Sequence, residues 1–173
     1  MSDTGLHLYC AIDFGTSNSG IAIPSRGAAG SALQLLEIEP SHPTMPTAVF
    51  YAVEGLAPHE EPRRLYGRAA LAAYVEGTEG RLMRSMKSIL GSSLVDQRTE
   101  LGAGHSVRYL DVLAGYLRHL KQQAEAHLDA SIEQVVLGRP VFFVDDDPLR
   151  DAKAQAALES AARSVGFADV NFQ

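Results

Sequence analysis

The sequence contains no tryptophan and one cysteine in 173 residues. A single cysteine cannot form an internal disulfide, and Cys10 lies in an apolar segment, which is typical of a small buried side chain in a reducing compartment. No apolar run approaches the ~18 residues that a membrane-spanning helix needs, and Met1–Gly5 has no basic region followed by an apolar stretch. We therefore expect a cytoplasmic protein with no membrane partner.

Clusters of positive charge are also scarce. Arg63 and Arg64 are the only adjacent basic pair, and the formal net charge is −6, so a nucleic-acid partner is not expected. The sequence has neither the glycine-rich P-loop pattern nor the dinucleotide-binding fingerprint. Its six histidines show no metal-ligand spacing, and no nucleophile elbow occurs.

The order of apolar patterns predicts an α/β fold. Strands are expected at Leu8–Phe14, Gly20–Pro24 and Ala32–Ile38, followed after a proline-rich break by an insertion with a strand at Thr47–Val53. The spacing of apolar residues in the rest of the sequence predicts four helices and two further short strands. Together with the first three strands, these elements predict a mixed five-stranded sheet flanked by helices. The helices are predicted at 67–75, 81–90 with Gly91 as its C-terminal cap, 111–128 and 148–164, and the last two strands at 134–137 and from 167.

The most informative segment joins the first two strands. Asp13 ends an apolar run and is followed by Phe14 and by Gly15–Asn18, which carry little side-chain bulk. Backbone N–H groups in such a turn can approach a phosphate closely. A carboxylate beside a polyphosphate needs a cation between them, so Asp13 is the candidate to orient a hydrated magnesium ion. The alternative is a plain hairpin turn capped by Asp13.

Five segments in order resemble the actin-like ATPase fold, and within it the seventy-kilodalton heat-shock (DnaK/YegD-type) chaperones. They are Ile12–Ser19, Pro43–Phe50, Tyr66–Ala70, Met86–Gly91 and Val136–Phe143. The resemblance implies a ribonuclease H-like lobe that binds ATP or ADP with Mg²⁺.

The resemblance also implies roles for individual residues. Gly15, Thr16, Ser17 and Asn18 would bind the phosphates, with Ser17 and Asn18 departing from the family's threonine and aromatic residue. The catalytic pair would be Asp13, which holds magnesium through water, and Lys87, which reaches the terminal phosphate and the attacking water. Pro140 would be a conformational switch, and Arg150 would relay its change. Each residue also has a plain alternative: Lys87 is a solvated surface charge, Pro140 only ends a strand, and Arg150 faces solvent.

The same resemblance predicts the domain organisation. Residues 1–45 and 109–173 would form the core ATPase lobe (subdomain IA-like), and residues 46–108 an inserted α+β subdomain (IB-like). The family's next motif follows the strand that contains Phe172, and the sequence stops at Gln173, so the C-terminal lobe is expected to be absent from this chain. We therefore expect very weak nucleotide binding and no useful turnover from these residues alone.

The expected function is that of the N-terminal lobe of a chaperone that binds and hydrolyses Mg-ATP as a conformational switch. Its partners would be nucleotide and unfolded client proteins or co-chaperones. Two alternatives remain: a sugar or acetate kinase of the same superfold, and a non-catalytic actin-like assembly protein in which nucleotide only sets a conformation.

Overall fold

The computed structural model of the chain describes residues 8–25, 32–57, 59–140 and 143–173. Met1–Gly5, and Val141 and Phe142 of the last matched segment, lie outside the described residues. In chain order the elements are β1 (Tyr9–Phe14), β2 (Asn18–Pro24), β3 (Leu33–Leu35), β4 (Thr44–Pro46), β5 (Ala48–Ala52), β6 (Arg63–Tyr66), α1 (Gly67–Val75), β7 (Gly80–Arg84), two 3-10 helices (Met86–Ile89 and Ser93–Asp96), β8 (Arg98–Gly102), β9 (His105–Arg108), α2 (Tyr109–Leu128), β10 (Gln134–Gly138), α3 (Pro148–Ser164) and β11 (Asp169–Phe172). The predicted mixed α/β fold is confirmed.

The main sheet combines an antiparallel and a parallel half. Its strands follow the order β11-β10-β1-β2-β3; β1, β10 and β11 are parallel to one another, whereas β2 is antiparallel to both β1 and β3. The short strand β4 also pairs with β2, so the described part of this sheet has six strands rather than the predicted five. The extra strand lies in the proline-rich stretch, where its three residues extend far enough to pair with Asn18–Gly20.

The helices α2 and α3 connect the parallel strands and bury their apolar faces in the main core. The predicted apolar positions of α2 are all buried, including Tyr116, Leu117 and Leu120, and they join Ile12 and Phe14 of β1 in one cluster. The predicted helix start at Pro148 is also confirmed. The side chain of Asp147 accepts a hydrogen bond from the backbone N–H of Arg150 at 3.0 Å, which caps the first turn of α3. Among the helices in the described part of the chain, none has the length and apolarity that crossing a bilayer requires.

A second sheet lies within residues 46–108. It has the order β6-β5-β7, and α1 packs on it over a small apolar cluster that contains Phe50 and Ala70. Residues 98–108 form the antiparallel pair β8 and β9. The boundaries drawn at residues 45 and 108 stay a prediction.

The predicted helix at 81–90 is wrong. Residues Gly80–Arg84 form the strand β7, which pairs along its whole length with β5, and a short 3-10 helix follows. The apolar residues of β7 are buried on both faces of the sheet: Met83 enters the main core, whereas Leu82 packs against the small cluster. This two-sided burial produces consecutive apolar residues, which together with Met86 imitate a helical spacing.

Gly91 also has a different role from the predicted cap of an α-helix. It follows the 3-10 helix, and a Cβ atom at this position would overlap the side chain of Val144. The glycine is therefore required by the close packing of this segment against the chain that leads into α3.

Candidate functional site

The turn between β1 and β2 has the form that the sequence predicts. A Cβ atom on Gly15 would overlap the backbone carbonyl oxygen of Asn18, so the turn leaves no room for a larger residue. Thr16, Ser17 and Asn18 are exposed. In residues 8–25, 32–57, 59–140 and 143–173, no hydrogen bond is donated by the backbone N–H groups of Gly15, Thr16 and Ser17. These donors are available to an anion.

Thr47 fixes this turn to the start of β5. Its backbone N–H donates to the carbonyl oxygen of Ser17 at 2.9 Å, and its hydroxyl lies 2.8 Å from the buried hydroxyl of Ser19. The hydroxyl of Tyr116, in α2, donates to the carbonyl oxygen of Pro46 at 3.2 Å. Thr47 lies in the segment Pro43–Phe50, but no local pattern indicates its contact with the turn, which depends on the pairing of distant segments.

Asp13 lies in a gap between two glycines. It is opposite Gly138 of β10 and Gly20 of β2 in the sheet register, and neither neighbour has a side chain beside the carboxylate. The Asp13 side chain is exposed and lines an open cleft of about 540 Å³, together with Asn18, Thr44 and Gln173 among others. Within the described ranges its carboxylate forms no hydrogen bond or direct ion pair. The two flanking glycines were not singled out from the sequence.

Lys87, from a distant part of the sequence, is electrostatically coupled to Asp13. Lys87 is half-buried in the 3-10 helix that follows β7. Burial lowers the pKa of its ammonium group, and the carboxylate of Asp13 acts in the opposite direction. The two predicted catalytic residues therefore interact electrostatically, without a direct ion pair among the described residues.

An aromatic ring supports Lys87 on one side. The Lys87 Nζ atom lies 5.8 Å from the centre of the Phe143 ring, and the Arg139 guanidinium lies 5.3 Å from the same centre. Arg139 also bonds Asp151 of α3 at 2.8 Å. Neither Phe143 nor Arg139 was predicted as a site residue, although both flank the predicted switch at Pro140.

The predicted switch and relay residues lie near this segment. The carbonyl oxygen of Pro140 accepts a hydrogen bond from Nε of Arg139 at 3.2 Å. Arg150 donates from Nε to the carbonyl oxygen of Gly91 at 3.0 Å, just beyond the helix that carries Lys87. Arg150 thus contacts the lysine-bearing segment, while Arg139 is the arginine beside Pro140.

The sequence was also compared with models of known protein families, and no family model matches. Among the described residues, no group of three or more histidine, cysteine, aspartate or glutamate side chains could hold a metal ion. The single exposed carboxylate of Asp13, beside free backbone donors, fits a magnesium ion held through its water shell and by phosphate oxygens.

Proposed function

We propose that this chain is the nucleotide-binding lobe of an actin-like ATPase of the heat-shock chaperone type. The strand order supports this proposal: three antiparallel strands are followed by two parallel strands that are reached through α2 and α3. An additional sheet with its own helix follows the third strand, as the resemblance implies. In the intact protein, lobe closure around nucleotide would act on unfolded clients or co-chaperones.

The proposal rests above all on the electrostatic coupling between Asp13 and Lys87. Asp13 lies near the end of β1, beside a turn with unpaired N–H groups, and Lys87 lies on a short 3-10 helix after the inserted sheet. A carboxylate and an ammonium group next to unpaired backbone donors are suited to phosphoryl transfer, which depends on positioning and charge neutralisation.

Each group has a distinct task in this chemistry. The backbone N–H groups of Gly15, Thr16 and Ser17 bind phosphate oxygens, and Asp13 orients the water shell of magnesium, which supplies positive charge to the phosphates when bound. Lys87 neutralises the charge that develops on the terminal phosphate or positions the attacking water. Phe143 restricts where the Lys87 ammonium group can go.

Titration with Mg-ATP tests this assignment. A single lobe of this fold supplies only part of the contacts to nucleotide, so calorimetry on the 173-residue chain should show little heat. A micromolar affinity would contradict the assignment to a single lobe. Backbone NMR spectra detect weaker binding, and we expect Mg-ATP to shift the amide signals of Gly15–Asn18. Removal of magnesium with a chelator should weaken this binding. Unchanged turn signals at saturating Mg-ATP would refute the proposed function.

Lys87→Met separates a functional lysine from a structural one. The folded-state pKa of Lys87 is lowered, so burial of its charge opposes folding at every pH below that lowered pKa. This cost fades as pH rises from the folded-state pKa to the ordinary lysine pKa, above which it is absent. We expect the variant to weaken Mg-ATP binding at the turn without lowering the free energy of unfolding at neutral pH. Urea unfolding and the NMR titration measure the two effects.

Lys153→Met is the matched control, since Lys153 is exposed on α3. It should leave both quantities unchanged. Equal Mg-ATP affinity in Lys87→Met and the unsubstituted chain would show that Lys87 is an ordinary surface charge.

A further inference from the structure

A small pocket lies beside the phosphate turn and shares no lining residue with the cleft of Asp13. Its volume is about 110 Å³, room for about three to four water molecules or one small tetrahedral oxyanion. The turn contributes Thr16 and Ser17, the strand β7 contributes Arg84, and Ser85 follows that strand. Thr47, Pro46, Ala48 and Leu71 complete the lining.

Arg84 supplies the positive charge of this pocket. It is the last residue of β7, opposite Ala48 of β5, and its side chain is exposed. In the part of the chain that the structure describes, the guanidinium forms no ion pair and no hydrogen bond. A guanidinium offers its donors in a planar fork that matches two oxygens of a phosphate.

The opposite wall supplies neutral donors. The backbone N–H groups of Thr16 and Ser17 have no partner among the described residues, and both side chains carry hydroxyl groups. Ser85 follows Arg84 in the left-handed conformation, with φ 57°. Its carbonyl oxygen accepts hydrogen bonds from the backbone N–H and the hydroxyl of Ser88, at 3.1 and 2.6 Å. These bonds hold the bend that brings Ser85 and Arg84 to the turn.

We propose that this pocket binds a small tetrahedral oxyanion between Arg84 and the turn residues Thr16 and Ser17. Two sources share this chemistry: the terminal phosphate of the nucleotide and the inorganic phosphate that hydrolysis releases. The assignment of the source rests on the proposed function, whereas anion binding by the pocket does not.

Titration of the chain with inorganic phosphate, at constant ionic strength against chloride, tests the pocket itself. Phosphate should shift the amide signals of Thr16 and Ser17 and the side-chain Nε–H signal of Arg84. Arg84→Gln should weaken binding about tenfold, the scale of one charge-assisted pair. Arg84→Lys, which keeps the charge but loses the fork, should bind with intermediate affinity.

Arg81→Gln is the control, because Arg81 is exposed on the same strand and its loss changes the net charge equally. It should bind phosphate like the unsubstituted chain, and unfolding curves verify that each variant is folded. The proposal is wrong if phosphate leaves the three signals unmoved, or if Arg84→Gln and Arg81→Gln bind phosphate equally.

Nucleotide titrations then identify the source of the anion. If the pocket takes the terminal phosphate, Arg84→Gln weakens Mg-ATP binding and leaves Mg-ADP binding unchanged. If it takes released phosphate, the variant binds both nucleotides normally, and its weaker binding of phosphate persists in the Mg-ADP complex. Failure of the unsubstituted chain to bind either nucleotide would refute the proposed function, and the phosphate titration would still decide the pocket.

Discussion

Gly15→Ala is expected to lower the free energy of unfolding by about 1–3 kcal/mol and to abolish phosphate binding at the turn. The added Cβ atom would overlap the carbonyl oxygen of Asn18, a backbone atom that cannot rotate away. Relief of this overlap requires the β1–β2 turn to open, which displaces the N–H groups of Thr16 and Ser17. Urea unfolding measures the first effect, and NMR titration with Mg-ATP or phosphate measures the second.

Gly115→Ala makes the same chemical change in a different setting. Gly115 lies inside α2, and the nearest atom to a Cβ at this position would be the Tyr66 hydroxyl at 3.8 Å, an ordinary contact. Because alanine favours the helix over glycine, we expect this variant to be more stable by about 0.5–1 kcal/mol. If Gly15→Ala matched its stability and its phosphate affinity, the steric account of the turn would be wrong.

Phe14→Ala is expected to cost about 3–5 kcal/mol of unfolding free energy. The Phe14 side chain is fully buried and meets the ring of Tyr116 edge to face, with centroids 6.0 Å apart. Since Phe14 lies between Asp13 and Gly15, the resulting cavity would also loosen the turn that we propose to bind phosphate. Because the chain has no tryptophan, urea unfolding followed by circular dichroism measures the free energy of unfolding.

Phe14→Leu serves as the comparison for this variant. Leucine retains most of the apolar volume and loses the ring pair, so we expect a loss below about 1.5 kcal/mol. A cost of less than about 1 kcal/mol for Phe14→Ala would indicate that the core collapses around the deletion, and that Phe14 does not anchor the turn.

The parts of the fold that follow from local pattern were predictable. The helix α2 buries one continuous apolar stripe that contains Leu113, Leu117 and Leu120, so its spacing is unambiguous. The strand β7 was not predictable in this way, because Leu82 and Met83 face different apolar clusters and no alternation remains to be read. Residues 80–84 form a strand because they pair with β5, and this pairing is a tertiary interaction.

The candidate site also combines features that follow from local sequence with features that depend on tertiary structure. The turn after Asp13 is a local feature, and its composition predicts either an anion-binding turn or a plain hairpin turn. The approach of Lys87 was expected only through the family resemblance, since no periodicity links it to Asp13. The positions of Thr47, Phe143 and Arg84 depend on how separate sheets and loops meet, which a single sequence does not encode in any local pattern.

The bond between Thr47 and the turn has a mechanical consequence. Thr47 directly precedes β5, the central strand of the three-stranded sheet, and its backbone N–H donates a hydrogen bond to the carbonyl oxygen of Ser17. A rotation of that sheet would therefore displace the peptide group between Ser17 and Asn18, next to the N–H groups that we propose to bind phosphate. On the proposed function, anion binding at the turn and the orientation of the three-stranded sheet are coupled through this one peptide group.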